Sequence, residues 1–293
     1  MLDFDEFYYT DFVDEKQFKE KNNSGKKTYV STNRTENDIT IKKFNILTSN
    51  NPFNKKIGNY ISIDFQNVDT IENTLNILNV VKTELKYLLK RNHYKKGEKV
   101  LIVGLGNDFY ISDSLGPKVV KSVHATSHLK INSKYGNIST LIPGVMASTG
   151  LESSSIIEAI VLKENIKFVV VIDALATRNI DRLYNVIQLS DTGINPGSGV
   201  DNHRKEVSKE VLGVPVICIG VATVVDCASL IVETLLCLDI EFDKEKYDLI
   251  KNICVKNNEK LVLTLKDIDK KIDELQFIIS SSLNDVFKTR LME

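Results

Sequence analysis

Two aspartates, each placed after an apolar run, are the residues of this sequence best suited to chemistry. Asp173 follows the run 168–172, and Asp113 lies shortly after the apolar stretch 99–107. Such β-branched runs predict buried strands of a parallel sheet, and ligands bind at the carboxyl ends of these strands. If the strands are neighbours, the two carboxylates face each other across a crevice. A close carboxylate pair shares a proton and can act as acid and base on water, which suits amide hydrolysis.

Each aspartate also has a simpler structural interpretation. The residues 174–176 are helix-forming, so Asp173 could instead be the N-cap of a following helix. Gly104 and Gly106 begin a dinucleotide-binding pattern, but Phe109 occupies the position of its third glycine. A Rossmann cofactor site is therefore not expected, and we expect the glycines to let the chain turn sharply after the strand.

Histidines and serines offer weaker candidates. His124 and His128 are four residues apart on a predicted helix, which is a metal-ligand spacing, but no HExxH pattern accompanies them. A solvated or packed helix face is the favoured interpretation, and no metal is expected. The serines 153–155 have neither a GxSxG elbow nor a histidine beside them, so we expect helix capping rather than nucleophilic catalysis.

Glycine-rich loops supply the candidate substrate-binding residues. The segment 190–206 is long and rich in turn residues, and long irregular loops of compact domains are often functional. Its basic end, Arg204 and Lys205, could hold an acidic side chain of a substrate, although a plain surface loop is the alternative. Asn107 in GLGN and Gly144 in the loop near the serines complete this set.

Composition limits the classes of function. The chain has 293 residues, 42% of them hydrophobic, and a net charge of -1, so it can bury a sizeable core but has no basic field for nucleic acid or an anionic membrane. Its acidic, aromatic beginning is unlike a signal peptide, and no stretch predicts a membrane span. A cytoplasmic protein is expected. The cysteines predict reduced core thiols rather than a zinc site or disulfides; they are Cys218, Cys227, Cys237 and Cys254.

The order of elements predicts an α/β fold. Residues 22–38 look like loop, 69–92 like an amphipathic helix and 244–293 like C-terminal helices. Apolar runs separated by helical segments predict the strands 39–47, 59–65, 99–107, 167–175 and 214–223. The α/β core should span about 96–240.

Five motifs in order carry a resemblance to a known family. They are GLGN with DSLGPKVV, PGVMASTGLESSSII, VVVIDALATR, IQLSDTGINPGSGVDNHRKEVS and LGVPVICIGVATVVD. Together, over residues 99–235, they resemble the germination protease, or spore protease, family of endospore-forming Firmicutes. The region between Cys237 and Leu261 is shorter than is usual in that family.

The resemblance implies a fold, an activity and a site. The fold would be a three-layer sandwich with a mostly parallel central sheet between helices, similar to hydrogenase maturation endopeptidases. The activity would be that of an atypical aspartic endopeptidase, without cofactor or metal, that cuts small, acid-soluble spore proteins during germination. The family's two essential aspartates fall on Asp113 and Asp173. Family members form homotetramers, and a spore protease would act in the cytoplasm of the forespore and in the spore core.

The resemblance also implies a self-processing zymogen. An acidic residue followed by a large apolar one resembles the site that the family cuts, and Asp11-Phe12 fits it. We therefore expect a propeptide of residues 1–11 and a peptidase domain of residues 12–293. Two alternatives remain: a metal-dependent endopeptidase of the hydrogenase-processing type, and a catalytically silent binding protein on the same fold.

Overall fold

A computed structural model gives the fold of this chain. It describes residues 10–15, 27–129, 136–196, 205–257 and 259–288. The strands are β1 Tyr29–Glu36, β2 Ile39–Ile46, β3 Gly58–Asp64, β4 Lys99–Gly104, β5 Asn137–Leu141, β6 Phe168–Thr177, β7 Val186–Ser190, β8 Val216–Asp226, β9 Val255–Lys256, β10 Glu259–Lys260 and β11 Val262–Leu263. The helices are α1 Ile71–Arg91, α2 Leu115–Lys121, α3 Met146–Thr149, α4 Ser153–Glu164, α5 Lys209–Leu212, α6 Cys227–Cys237, α7 Lys244–Ile253 and α8 Ile268–Phe287.

One mixed sheet organises these elements. Its strand order is β1-β2-β3-β7-β8-β6-β4-β5, and β11 pairs with β8. The four strands β8, β6, β4 and β5 are mutually parallel, whereas β1, β2, β3 and β7 join antiparallel to one another and to β8. The α/β fold with a parallel central sheet, expected from the apolar runs, is confirmed.

Helices cover both faces of the sheet and make three layers. On one face, α1, α2 and α8 bury their apolar sides against alternate residues of the central strands. On the other face, α4 and α5 pack against the intervening residues, among them Val169 and Val171 of β6. Because side chains alternate along a strand, Asp173 shares the α4 face with Val171.

The helix α1 was predicted from residues 69–92, and the structure shows why it begins where it does. Thr70 is the N-cap, and its side chain accepts a hydrogen bond from the backbone N–H of Asn73. The apolar side, including Leu85 and Leu88, is buried against the sheet and α8.

Within the described part of the chain, no helix has both the length and the apolar character needed to cross a membrane.

Three local predictions were wrong. Residues 29–36, assigned to a loop, form β1, which pairs with β2 through its whole length. The helix α2 ends at Lys121, so His124 and His128 lie beyond it and not on one helix face. Finally, β6 continues through Asp173 to Thr177, so this aspartate lies inside a strand and caps no helix.

Candidate active site

Two glycines at the end of β4 make room for the segment that carries Asp113. A side chain at Gly104 would collide with the backbone of Gly116 in α2, and one at Gly106 with the carbonyl of Asp113. Gly106 also has φ +111°, which favours glycine. The GxG pattern therefore serves a close approach between the strand end and the start of α2, consistent with the sharp turn expected from the sequence.

Asp113 lies in a short turn fixed by backbone hydrogen bonds. It ends the 3₁₀ turn Ile111–Asp113 that leads into α2. Its carbonyl accepts from the N–H of Asn107 at 3.1 Å, and its N–H donates to the carbonyl of Tyr110 at 2.8 Å. A Cβ on Gly106 would lie 3.0 Å from the Asp113 carboxylate oxygen Oδ1, so this half-buried side chain is held beside the end of β4.

Asp173 lies in the centre of the sheet. It is 6% exposed and pairs in register with Gly220 of β8. Its Oδ1 accepts a hydrogen bond from the N–H of Ala174 at 3.0 Å. A polar side chain this deep in a parallel sheet requires hydrogen bonds to offset desolvation, which the strand backbone partly supplies.

The end of β4 brings the two aspartates to one region. Gly104, the last residue of β4, pairs with Ile172, the residue before Asp173. A Cβ on Gly116, three residues after Asp113, would lie 2.8 Å from the carbonyl oxygen of Ile172. Asp113 and Asp173 are therefore each within three residues of one contact between α2 and β6.

Beyond this contact, β6 has an edge that β4 no longer covers. Alternate residues of a strand direct their backbone groups to the same side. Ile172 accepts from the N–H of Leu105 on the β4 side at 2.8 Å, and the N–H of Ala174 is taken by the Asp173 carboxylate. On this side, Ala176 makes two hydrogen bonds with Asp11. The N–H of Asp11 donates to the Ala176 carbonyl at 3.0 Å, and Oδ2 of Asp11 accepts from the N–H of Ala176 at 2.8 Å.

The predicted processing site is therefore docked on the strand that carries Asp173. The side chain of Phe12 is fully buried against Leu175, Val186 and Ala222. The carbonyl of Asp11, which belongs to the Asp11–Phe12 peptide bond, accepts from Nζ of Lys55 at 2.9 Å. Because three strand residues span about 10 Å, this bond lies past Asp173 along β6 rather than directly at it.

A buried charge cluster anchors the residues that follow Phe12. The guanidinium of Arg182 donates to the carboxylates of Asp14, Glu15 and Asp64, each at 2.9 Å. It also lies 4.8 Å from the centre of the Phe12 ring. Burial alone would raise the pKa of Asp14, but the charges of Arg182 and Lys42 hold that pKa below its usual value.

Cys218 is a neighbour of the site that the sequence analysis assigned only to the core. It pairs in register with Val171, two residues before Asp173, and is buried. Burial raises the pKa of its thiol, and the charge of Asp173 raises it further. Cys218 therefore stays protonated beside the aspartate at neutral pH. Sequence reasoning missed this contact because it depends on the register between β6 and β8.

The four candidate substrate-binding residues have different positions. Asn107 supports the Asp113 turn, since its side chain accepts from the N–H of Phe109 at 3.1 Å. Gly144, with φ +72°, precedes α3 and its carbonyl accepts from the Ser153 hydroxyl at 3.0 Å. Lys205 is paired with Glu158 of α4 at 2.6 Å. Arg204 lies outside the described residues, and substrate contacts of the other three stay predictions.

The serines 153–155 form the first turn of α4, and the N-cap is Glu152, without a side-chain capping bond. The expected capping role is therefore wrong.

Among the described residues, no group of three or more histidine, cysteine, aspartate or glutamate side chains could hold a metal ion. A surface cavity of about 190 Å³ lies between the start of β2 and α1, and none of the candidate-site residues lines it.

An open α/β sheet with one acidic side chain beyond the carboxyl end of β4 and another within the neighbouring parallel strand β6 is the arrangement of a ligand-binding or catalytic α/β protein. Comparison with known proteins narrows this class. Residues 9–239 match the germination protease family, and the chain belongs to that family.

Named relatives agree with this assignment. The chain is 41% identical over 228 residues to the germination protease of Bacillus cytotoxicus and to that of Bacillus cereus strain AH187. It is 40% identical over 228 residues to the germination protease of Bacillus mycoides. Each match covers 75% of this chain but 62% of the relative, so the chain spans less than two thirds of the curated relatives that it matches.

Proposed function

We propose that this protein is an endopeptidase that begins the degradation of small, acid-soluble spore proteins during germination. The observation that carries the proposal is that Asp113 and Asp173 are each within three residues of one α2–β6 contact, in a chain of the germination protease family. The relatives are named for a protease of germination, and two carboxylates with an adjoining strand edge suit peptide hydrolysis.

In the proposed mechanism the two carboxylates share one proton. The ionised carboxylate removes a proton from water, and the resulting hydroxide forms a bond to the carbonyl carbon of the peptide. The protonated carboxyl group supplies a proton as the carbon–nitrogen bond breaks, so that an amine and a carboxylic acid leave.

The edge of β6 is the proposed binding surface for the substrate backbone. An extended peptide can add to an exposed strand edge through main-chain hydrogen bonds. The backbone of Asp11 makes one such bond at Ala176. A substrate strand would run along the same side of β6 past Ala174, with the turn of Asp113 at one end.

The leader 1–11 is proposed as a propeptide that the protein removes from itself between Asp11 and Phe12. The docking of Asp11 on Ala176 supports this, because a docked leader occupies the strand edge that substrate would use. Residues 1–9 lie outside the described residues. The protein is further proposed to form a homotetramer and to act, without cofactor, in the cytoplasm of the forespore and in the spore core.

Incubation with a purified small, acid-soluble spore protein tests the proposal. The expected products, identified by mass spectrometry, end in an acidic residue and begin with a large apolar one. No cleavage by the wild-type protein at any pH, with or without the leader, would instead favour a silent binding protein on this fold.

A further inference from the structure

Two of the four cysteines meet at one end of a helical hairpin. Cys227 is the first residue of α6 and Cys254 is the C-cap of α7. The two helices pack on each other through Val232 of α6, Phe242 of the connecting segment, and Tyr247 and Ile250 of α7. In a hairpin of two helices, the start of the first and the end of the second lie at the same end.

Backbone hydrogen bonds bring these two cysteines to a single residue. The N–H of Cys227 donates to the carbonyl of Leu261 at 3.1 Å, and the N–H of Leu261 donates to the carbonyl of Cys254 at 2.8 Å. The Cys227 side chain also lies near enough to Cys254 to raise the pKa of the Cys254 thiol. Both cysteines are reduced, with Cys254 buried and Cys227 partly exposed.

We propose that Cys227 and Cys254 are a reversible redox pair that forms an intramolecular disulfide with a disulfide oxidant such as glutathione disulfide. The inference does not depend on the proposed peptidase activity. Cys227 is the entry point because its side chain reaches solvent. Cys254 is the resolving thiol because it is buried against Cys227 and little exposed to the oxidant.

The exchange proceeds in two balanced steps. The Cys227 thiolate attacks one sulfur of glutathione disulfide, and one glutathione leaves as a thiolate. Cys254 loses its proton, attacks the Cys227 sulfur of the mixed disulfide and releases the second glutathione. The protein gives up two protons and two electrons, and one glutathione disulfide becomes two glutathione molecules.

Burial, followed by the nearby Cys227 side chain, raises the pKa of the Cys254 thiol to about 12. The second step should therefore be the slower one at neutral pH, since a thiolate and not a thiol attacks. The rate of disulfide formation should increase with pH through the alkaline range.

The disulfide would join the hairpin to the strand that borders the candidate site. Leu261 leads into β11, where Val262 and Leu263 pair with Asp226 and Val225 at the end of β8. A bond between Cys227 and Cys254 would close the α6–α7 hairpin and hold β11 against β8. We expect this to increase stability, because a cross-link restricts the unfolded chain.

The test uses the full-length protein and three variants. The protein is reduced, freed of reductant, incubated with glutathione disulfide, quenched in acid, alkylated and analysed by fragmentation mass spectrometry. Cys227→Ser and Cys254→Ser each remove one partner. Cys237→Ser is the matched control, because it removes an exposed thiol from the other end of α6.

Wild type and Cys237→Ser should lose two alkylatable thiols and contain a cross-link between residues 227 and 254. Cys254→Ser should stop at a mixed disulfide with glutathione on Cys227, and Cys227→Ser should form no cross-link. The oxidised wild type should melt about 5 °C above the reduced form, and Cys254→Ser should show no such increase. A stable glutathione adduct on wild-type Cys227, or a cross-link that uses Cys237 instead, would overturn the proposal.

Discussion

The fully buried ring of Phe12 packs against Leu175, which lies two residues beyond Asp173 on the same face of the same strand. The residue that would begin a processed chain is thus part of the core beside the candidate site. Processing at the Asp11–Phe12 bond would release the leader and leave residues 12–15 anchored through Phe12 and Arg182.

The first prediction concerns this bond. Incubated wild-type protein should mature to a chain whose first residue is Phe12, and full-length Asp173→Asn kept alone should never be trimmed. N-terminal sequencing at intervals measures both. Mixing the variant with active protein is the control, since trimming in the mixture shows that its leader can still be cut. Maturation at another bond would refute the assignment, and equal activity of full-length and trimmed chains would refute an inhibitory leader.

The second prediction concerns the anchor. Phe12→Ala should lower the free energy of unfolding by about 3–5 kcal/mol, because it leaves a cavity between Leu175, Val186 and Ala222. Urea unfolding followed by circular dichroism measures the change. Phe109→Ala is the matched control, because this ring is 91% exposed and its removal should change stability by no more than about 0.5 kcal/mol. Similar losses in both variants would show that Phe12 is not anchored as described.

The third prediction follows from the lowered pKa of Asp14. A carboxyl group whose pKa is lower in the folded state contributes stability above its unfolded pKa, and this is lost as the pH falls through the folded value. Asp14→Asn should therefore cost about 1–3 kcal/mol near pH 7 and the same near pH 5. The cost should decrease only below the ordinary value of 3.8.

Urea unfolding of wild type and Asp14→Asn between pH 7 and the lowest pH at which both stay folded provides the measurement. Asp181→Asn is the control, because it makes the same change of charge at an exposed residue. A difference between wild type and Asp14→Asn that had already disappeared at pH 5 would contradict the charge pairing of Asp14 with Arg182 and Lys42.

The fourth prediction separates the carboxylate mechanism from a metal-dependent one. Cleavage of a spore-protein substrate should proceed at an unchanged rate after dialysis against a chelator, because the proposed mechanism activates water with Asp113 and Asp173 alone. Loss of cleavage that one added metal ion restores would favour the hydrogenase-processing type of endopeptidase instead. A metalloprotease assayed in parallel with the same chelator confirms that metal has been removed.

The parallel strands could be predicted because their apolar runs are a local signal. The predicted strands 99–107, 167–175 and 214–223 each overlap an observed strand, since central parallel strands are buried on both faces. β1 was missed because its residues are polar and largely exposed, and it exists through its pairing with β2. The alternative interpretation, a helix capped by Asp173, was wrong because pairing of residues 174–177 with β8 outweighs their helix propensity.

The residues of the candidate site likewise divide into those that the sequence could indicate and those that it could not. Asp113 and Asp173 could be selected as candidates because each follows a recognisable apolar run. The pairing of Asp11 with Ala176 joins residues far apart in the chain, and on β6 it uses only the backbone atoms of Ala176, which have no side-chain signature in a sequence. Arg182 could not be selected either, because one arginine in a polar segment becomes a hub only when Asp14, Glu15 and Asp64 fold around it.

Two single substitutions, Asp113→Asn and Asp173→Asn, test the central claim most directly. Each variant is assayed on a purified small, acid-soluble spore protein in parallel with Asp181→Asn. Removing either member of the pair should lower the rate of cleavage at least about 1,000-fold, since no proton can then be shared. Asp181→Asn should cleave at the wild-type rate, and all three variants should keep the wild-type circular dichroism spectrum. Cleavage at the wild-type rate by natively folded Asp113→Asn or Asp173→Asn would contradict the aspartate pair.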